Sequence, residues 1–160
     1  MKAPDVLVLG IGNTLLGDEG VGVHVVRALA AAPAPPGVTC LDGGTGSLVL
    51  LEPMQAAGRL VLVDATADGN PPGTVRRLRP RFSSDFPPSL AAHDIGLRDL
   101  LDSFYLLGAP EPDVALITVS IALPQDLATE LSPAVAAAVP EAVAAVLREL
   151  PALPKAGPVA

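Results

Sequence analysis

Two adjacent carboxylates, Asp18 and Glu19, end the stretch GIGNTLLGDEG, which follows directly on the apolar run Val6-Leu7-Val8-Leu9. A glycine-rich turn from strand to helix is a common cradle for phosphate, because backbone N–H groups converge there. Gly12 and Gly17 keep the glycine spacing of a phosphate loop. Asp18 and Glu19, however, stand where that chemistry needs a lysine and a magnesium-binding hydroxyl, so phosphate would meet like charge. The dinucleotide fingerprint fails too: Gly10 and Gly12 fit, but Leu15 occupies the third glycine position. Asp42, at the end of the second apolar run, stands roughly where a ribose ligand would lie and keeps a nucleotide site in view. The acidic pair itself has two other readings. It can cap the helix that follows, whose dipole favours negative charge at the N-terminus, or it can meet a cation.

Two further residues favour the cation. Functional groups of open α/β sheets collect beyond the carboxyl ends of the strands, and the run LVLVD brings Asp64 to that rim. His93, in AAHDIGLRDLL, directly precedes Asp94, the expected N-cap of a helix. The dipole there disfavours imidazolium, and the neutral ring is the form that binds metals. Glu19, Asp64 and His93 together offer two carboxylate groups and an imidazole nitrogen, a donor set suited to a divalent transition metal. Three protein ligands leave positions for water or for a partner's ligand. Residue types do not choose among zinc, nickel and manganese. His24 points about 140° around the helix from Glu19 and reads as a surface or boundary residue. No serine or cysteine triad presents itself: Ser47 and Ser120 lack a recognisable paired histidine, and the lone Cys40 reads as a small core residue of a strand.

The elements that must position these groups alternate short apolar runs with segments of helical period, the pattern of an α/β domain. Strands are expected at Val6 to Leu9, Val38 to Leu41, Leu60 to Val63, Thr74 to Leu78 and Val114 to Ser120. Most are continuously apolar, as strands buried on both faces of a mostly parallel sheet should be. The charged run GTVRRLR instead suits an antiparallel or edge strand. Helices are expected from about Glu19 to Ala31, from an N-cap at Ser47 to about Ala57, from an N-cap at Asp94, and from Ser132-Pro133 to Leu150. Pro140 should kink the last of these, because it has no N–H for the carbonyl of Ala136.

The chain has 160 residues, the length of one domain, and residues 1–150 are expected to form it, with 151–160 as a flexible proline-rich tail. No apolar run reaches the ~20 residues of a membrane span, and the start lacks the features of a signal peptide, so a cytoplasmic location is expected. A net charge of −7 and only four aromatic residues, three Phe and one Tyr, argue against nucleic acid, which needs basic contacts and stacking. The cluster RRLRPR (residues 76 to 81) is the one basic patch, read as a solvated edge or a contact for an acidic partner.

Taken together, VLVLGIGNTLLGDEGVGVHVVRAL, LDGGTGSLVLLEPM, LVLVDAT, PPGTVRRLRP, HDIGLRDLL and LSPAVAAAVPEAVAAVLREL resemble, in order and spacing, the hydrogenase maturation proteases. These endopeptidases trim the C-terminal extension from the large-subunit precursor of nickel-iron hydrogenases. The resemblance spans residues 5 to 150. It implies an α/β three-layer sandwich with a central, mostly parallel five-stranded sheet flanked by helices. It also implies that Glu19, Asp64 and His93 form the catalytic, nickel-binding site. The nickel would arrive in the precursor and bridge the two proteins, zinc or cadmium being able to stand in for it in a crystal. A monomer that meets the nickel-loaded precursor transiently is the expected state.

The segment TVSIALPQDLATELSP departs from the glycine, glutamine-proline and glutamate pattern usual in the family, which bears on which precursor is served. Asp18 or Asp42 would orient the attacking water, unless each is only a cap or turn residue. The alternative to a protease is a non-hydrolytic nickel-sensing checkpoint, or a metal-binding module, for the same precursor.

Overall fold

The computed structural model describes residues 5–45, 48–80 and 113–151, together with Asp102, Leu106 and Gly108. The expected helix after Asp94 and the residues Ser47 and His93 lie outside these. The strands are β1 (Val6–Gly10), β2 (Val38–Asp42), β3 (Arg59–Thr66), β4 (Val75–Leu78) and β5 (Asp113–Ser120). They form one five-stranded sheet in the order β2-β1-β3-β5-β4. β2, β1, β3 and β5 are parallel. β4 runs antiparallel at the edge, where its charged side chains reach water.

The sheet sorts its side chains by shape. Val6, Val8, Val61, Val63, Ala65, Ile117 and Val119 share one core cluster with α1 (Val21–Ala30) and α3 (Pro133–Glu149). The alternate positions Leu7, Leu9, Leu60, Leu62 and Leu116 face the other way and pack with Leu50 and Met54 at α2 (Leu51–Ala56). This is the period-two alternation of a strand with both faces covered. The resulting α/β architecture is the expected one.

Several boundaries moved. α1 begins at Val21 rather than Glu19, because a 3-10 turn occupies Gly17–Gly20. α2 spans only six residues. Pro140 lies inside α3, which continues to Glu149 around the missing N–H. β3 runs on to Thr66, three residues past the expected end at Val63, and this extension matters for the site.

Chain order also marks a position on the rim. β1 is followed by β2 on one side, whereas β3 lies on its other side. The connections therefore diverge at the carboxyl ends of β1 and β3, the crevice where open α/β sheets bind ligands.

Candidate functional site

The loop after β1 is folded back over that crevice. Ile11 N–H donates to the carbonyl of Val63 on β3 (2.9 Å), and Gly12 N–H to that of Gly44 (2.7 Å). A side chain at Gly12 would overlap the carbonyl oxygen of Glu19, and one at Gly22 would overlap the carbonyls of Val63 and Ile11. These two glycines let backbone meet backbone, so the Gly17–Gly20 turn packs against β3. Glu19 is thereby held at the rim with 6% of its surface exposed.

Its neighbour Asp18 has a different task. Both Asp18 carboxylate oxygens accept hydrogen bonds from Ser132, one from the backbone N–H and one from the hydroxyl, each at 2.7 Å. Asp18 N–H donates to Gln125 Oε1 (3.0 Å), and Gly17 N–H donates to the carbonyl of Ala128 (2.8 Å). Ser132 is the N-cap of α3, so Asp18 anchors the start of a helix 114 residues away in sequence. Negative charge is favoured at that end by the dipole. Of the two roles expected for Asp18, orienting water or acting as a cap, these contacts are those of a cap. Asp42 is likewise a turn residue: it accepts from Gly44 N–H (2.9 Å) and lies 3.5 Å from Arg27 at an exposed position.

On the far side of the crevice, β3 and β5 outrun β1. β1 pairs with β3 only as far as Val63, while β3 and β5 continue through Asp64–Thr118, Ala65–Val119 and Thr66–Ser120. Asp64 is thus the first residue of β3 beyond the end of β1, and only 1% of its surface is exposed. It lies on the leucine-bearing face, the one covered by α2, with Thr66, Thr118 and Ser120. Its Oδ1 accepts from Ala65 N–H (2.8 Å).

The hydroxyls of this row are used unequally. Ser120 donates to Asp68 (2.8 Å), which also accepts from the backbone and side chain of Asn70. Burial alone would raise the Asp68 carboxyl, but the hydrogen bonds from Ser120 and Asn70 outweigh it and hold it below the usual range. Thr118 is completely buried, and its hydroxyl has no partner among the described residues. Such an orphan costs about 1–3 kcal/mol.

Glu19 and Asp64, two of the three expected ligands, therefore sit on the two elements that flank the crevice, and both are buried. Hard oxygen donors of this kind suit a divalent cation. Among the described residues no three His, Cys, Asp or Glu side chains converge on one point; the third expected ligand, His93, lies outside them. His24, on α1, is half-buried, and burial, reinforced by Arg27 and opposed by Asp18, pushes its imidazole pKa down. Cys40 is partly buried, and burial pushes its thiol up, away from the reactive thiolate. Sequence reasoning missed the anchor at Ser132 and the buried hydroxyls. The second had a signal: Asp64-Ala65-Thr66 and Thr118-Val119-Ser120 both alternate polar and apolar, as strand ends should when one face turns polar.

The basic cluster is also mostly spoken for. Arg77 and Arg79 pair with Glu149, and Arg76 lies 3.6 Å from Asp68. The cluster is the solvated edge expected of it, with Arg76, Arg77 and Arg79 each about half exposed beside these intramolecular partners.

A family model described as hydrogenase maturation protease matches residues 23–149, a span that includes Asp64 and His93 and begins just after Glu19. The hydrogenase expression/formation protein HupD of Rhodobacter capsulatus is 38% identical over 155 residues, which cover 93% of this chain and 72% of that protein. The hydrogenase 2 maturation protease of Escherichia coli is 36% identical over 150 residues, 91% of this chain and 90% of its own. Among solved structures, the hydrogenase maturating endopeptidase HybD from E. coli is similar with a TM-score of 0.81 at 35% identity, covering 91% of each chain.

Proposed function

The chain belongs to the hydrogenase maturation protease family, a family of endopeptidases, and on that premise we propose that it removes the C-terminal extension of a nickel-iron hydrogenase large-subunit precursor after nickel insertion. The observation that carries the nickel reading is the burial of two carboxylates, Glu19 and Asp64, on the two elements flanking the β1–β3 crevice. Two carboxylates on facing elements gather negative charge at a crevice, and oxygen donors so placed suit a docking divalent cation.

In this reading Glu19, Asp64 and His93 complete the coordination of nickel carried by the precursor, and binding that metal brings the scissile peptide to the rim. Nickel there would supply Lewis acidity toward a peptide carbonyl or a water molecule. Hydrolysis adds water across the C–N bond: the hydroxyl goes to the carbonyl carbon and a proton to the departing amine. Asp18 serves this site structurally, since Ser132 donates to both its oxygens. It fixes the turn from which Glu19 projects.

Purified protein mixed with nickel-loaded and nickel-free precursor, followed by mass spectrometry, tests the proposal. Loss of a C-terminal peptide from the loaded precursor alone is expected. Glu19→Gln, Asp64→Asn or His93→Ala should each slow processing at least about a hundredfold, the scale for removing a group that acts in the transition state. Tight binding with no change in mass would instead identify a checkpoint, and normal processing by any of the three variants would remove that residue from the site.

A further inference from the structure

We propose that Thr118 is a positioning residue for the Asp64 carboxylate, its hydroxyl orienting that carboxylate when a divalent cation binds. The inference rests on the reading of Asp64 as a ligand to the substrate's nickel. Thr118 is 0% exposed, and its hydroxyl has no hydrogen-bond partner among the described residues. A polar group in that state opposes folding, and a valine would fill the same volume without the penalty. Apolar β-branched residues already occupy the alternate positions of β5, Ile117 and Val119. The hydroxyl therefore has no packing reason to be there.

Its surroundings supply another reason. Thr118 is the register partner of Asp64 on the adjacent parallel strand, so the two side chains leave the same face of the sheet. Neighbouring strands lie about 4.8 Å apart, a separation that a hydroxyl-to-carboxylate hydrogen bond can bridge. Rotation about χ1 exchanges the hydroxyl and methyl of a threonine between staggered positions, so the donor can turn toward Asp64 without backbone movement.

The chemistry fits the task. A carboxylate that binds a cation is commonly held in orientation by a hydrogen bond from a neighbouring group. A neutral donor does this without competing with the cation, as a lysine or arginine would. The nearest strand neighbour on the other side, Arg76, pairs with Thr118 in register, but its guanidinium lies beside Asp68 (3.6 Å). Only the neutral hydroxyl is left beside Asp64 from that pair.

Thr118→Val and Thr118→Ser separate positioning from packing. Each purified variant is titrated with nickel(II) alone by calorimetry, and its thermal midpoint is measured without metal. Thr118→Val should keep or raise the midpoint while weakening nickel binding roughly tenfold or more, the usual scale for losing an orienting partner. Thr118→Ser should bind nickel like the parent. Unchanged nickel affinity in Thr118→Val overturns the proposal alone, as does a lowered midpoint in Thr118→Val with nickel binding intact. A parent protein that binds no nickel overturns the reading of Asp64 as a ligand, and this inference with it.

Discussion

The two ends of the sheet bury carboxylates in opposite ways. At the amino end, where β3 and β5 begin and α3 finishes, Glu149 is 5% exposed and engages the guanidinium groups of Arg59, Arg77 and Arg79. Asp113 joins the same cluster, 3.1 Å from Arg59 and 3.5 Å from Arg79. At the carboxyl end, buried Asp18 is held by the N–H and hydroxyl of Ser132, whereas the less buried Asp68 accepts from Ser120 and Asn70 and also has Arg76 3.6 Å away. Arginines cancel a negative charge where they bind it, so the Glu149 end is closed to further cations and serves stability. Neutral donors satisfy the oxygens and leave the charge in place. Around Asp18 the negative charge is retained, so a cation can still be attracted to that part of the rim.

Removing the arginine-bound carboxylate should have the largest effect on stability. Glu149→Ala leaves three guanidinium groups without their shared partner and should cost about 3 kcal/mol, the lower range for breaking a buried pair because Arg77 and Arg79 are about half exposed. Denaturant unfolding at neutral pH measures it, and a loss no larger than that of a surface charge would erase the distinction between the two ends.

The neutral arrangement should be worth less. Asp18→Ala leaves the Ser132 N–H without its acceptor at the start of α3 and should cost about 1–2 kcal/mol. Because the same residue fixes the turn carrying Glu19, processing should fall with it, whereas Glu149→Ala should change processing only through stability. An Asp18 variant that loses neither stability nor activity would show that the Ser132 contact anchors nothing.

Acid should sharpen the comparison with a smaller, graded effect. Burial would raise the Glu149 carboxyl, but the hydrogen bonds and charges of Arg77 and Arg59 outweigh it, so its pKa lies below the ordinary 4.5. A carboxylate lowered by folding stabilises the protein above its unfolded pKa and loses that contribution as pH falls through the folded value. Asp68 acts the same way from its ordinary 3.8. His24, whose folded pKa is depressed below 6.5, adds a penalty that sets in earlier on acidification: as pH falls below 6.5 the unfolded chain takes up the proton more readily than the folded one. Stability should therefore begin to decline below about pH 6.5 and fall further below about 4.5. Glu149→Ala should flatten the second limb and leave the first; identical acid limbs in parent and variant would remove Glu149 from the account.

Much of this was legible in the chain. The unbroken apolar runs marked the parallel strands, and the charged run marked β4 as an edge. The glycines and acids after β1 located the turn of Glu19, and LVLVD brought Asp64 to the rim. What stayed hidden was long-range. Nothing in the local pattern of Asp18 shows that Ser132 will hold it, so its spacing supported capping and chemistry equally. The basic cluster looked available because Glu149 lies 72 residues beyond Arg77, at the far end of a helix. The late start of α1 reflects a glycine at each end of the Gly17–Gly20 turn, where a tight 3-10 turn replaces the first helical one.

Helix α3 connects the two ends. Its N-cap Ser132 is tied to the turn of Glu19, and its last residue, Glu149, holds the arginines. Seventeen helical residues and the eight of β5 beneath them both span about 26 Å. Helix and sheet are thus commensurate, each end keyed by one side chain. A single residue inserted in α3 would rotate everything beyond it by about 100°, so that only one of the two keys could stay engaged. The length of this helix is as much a part of the site as the residues at its rim.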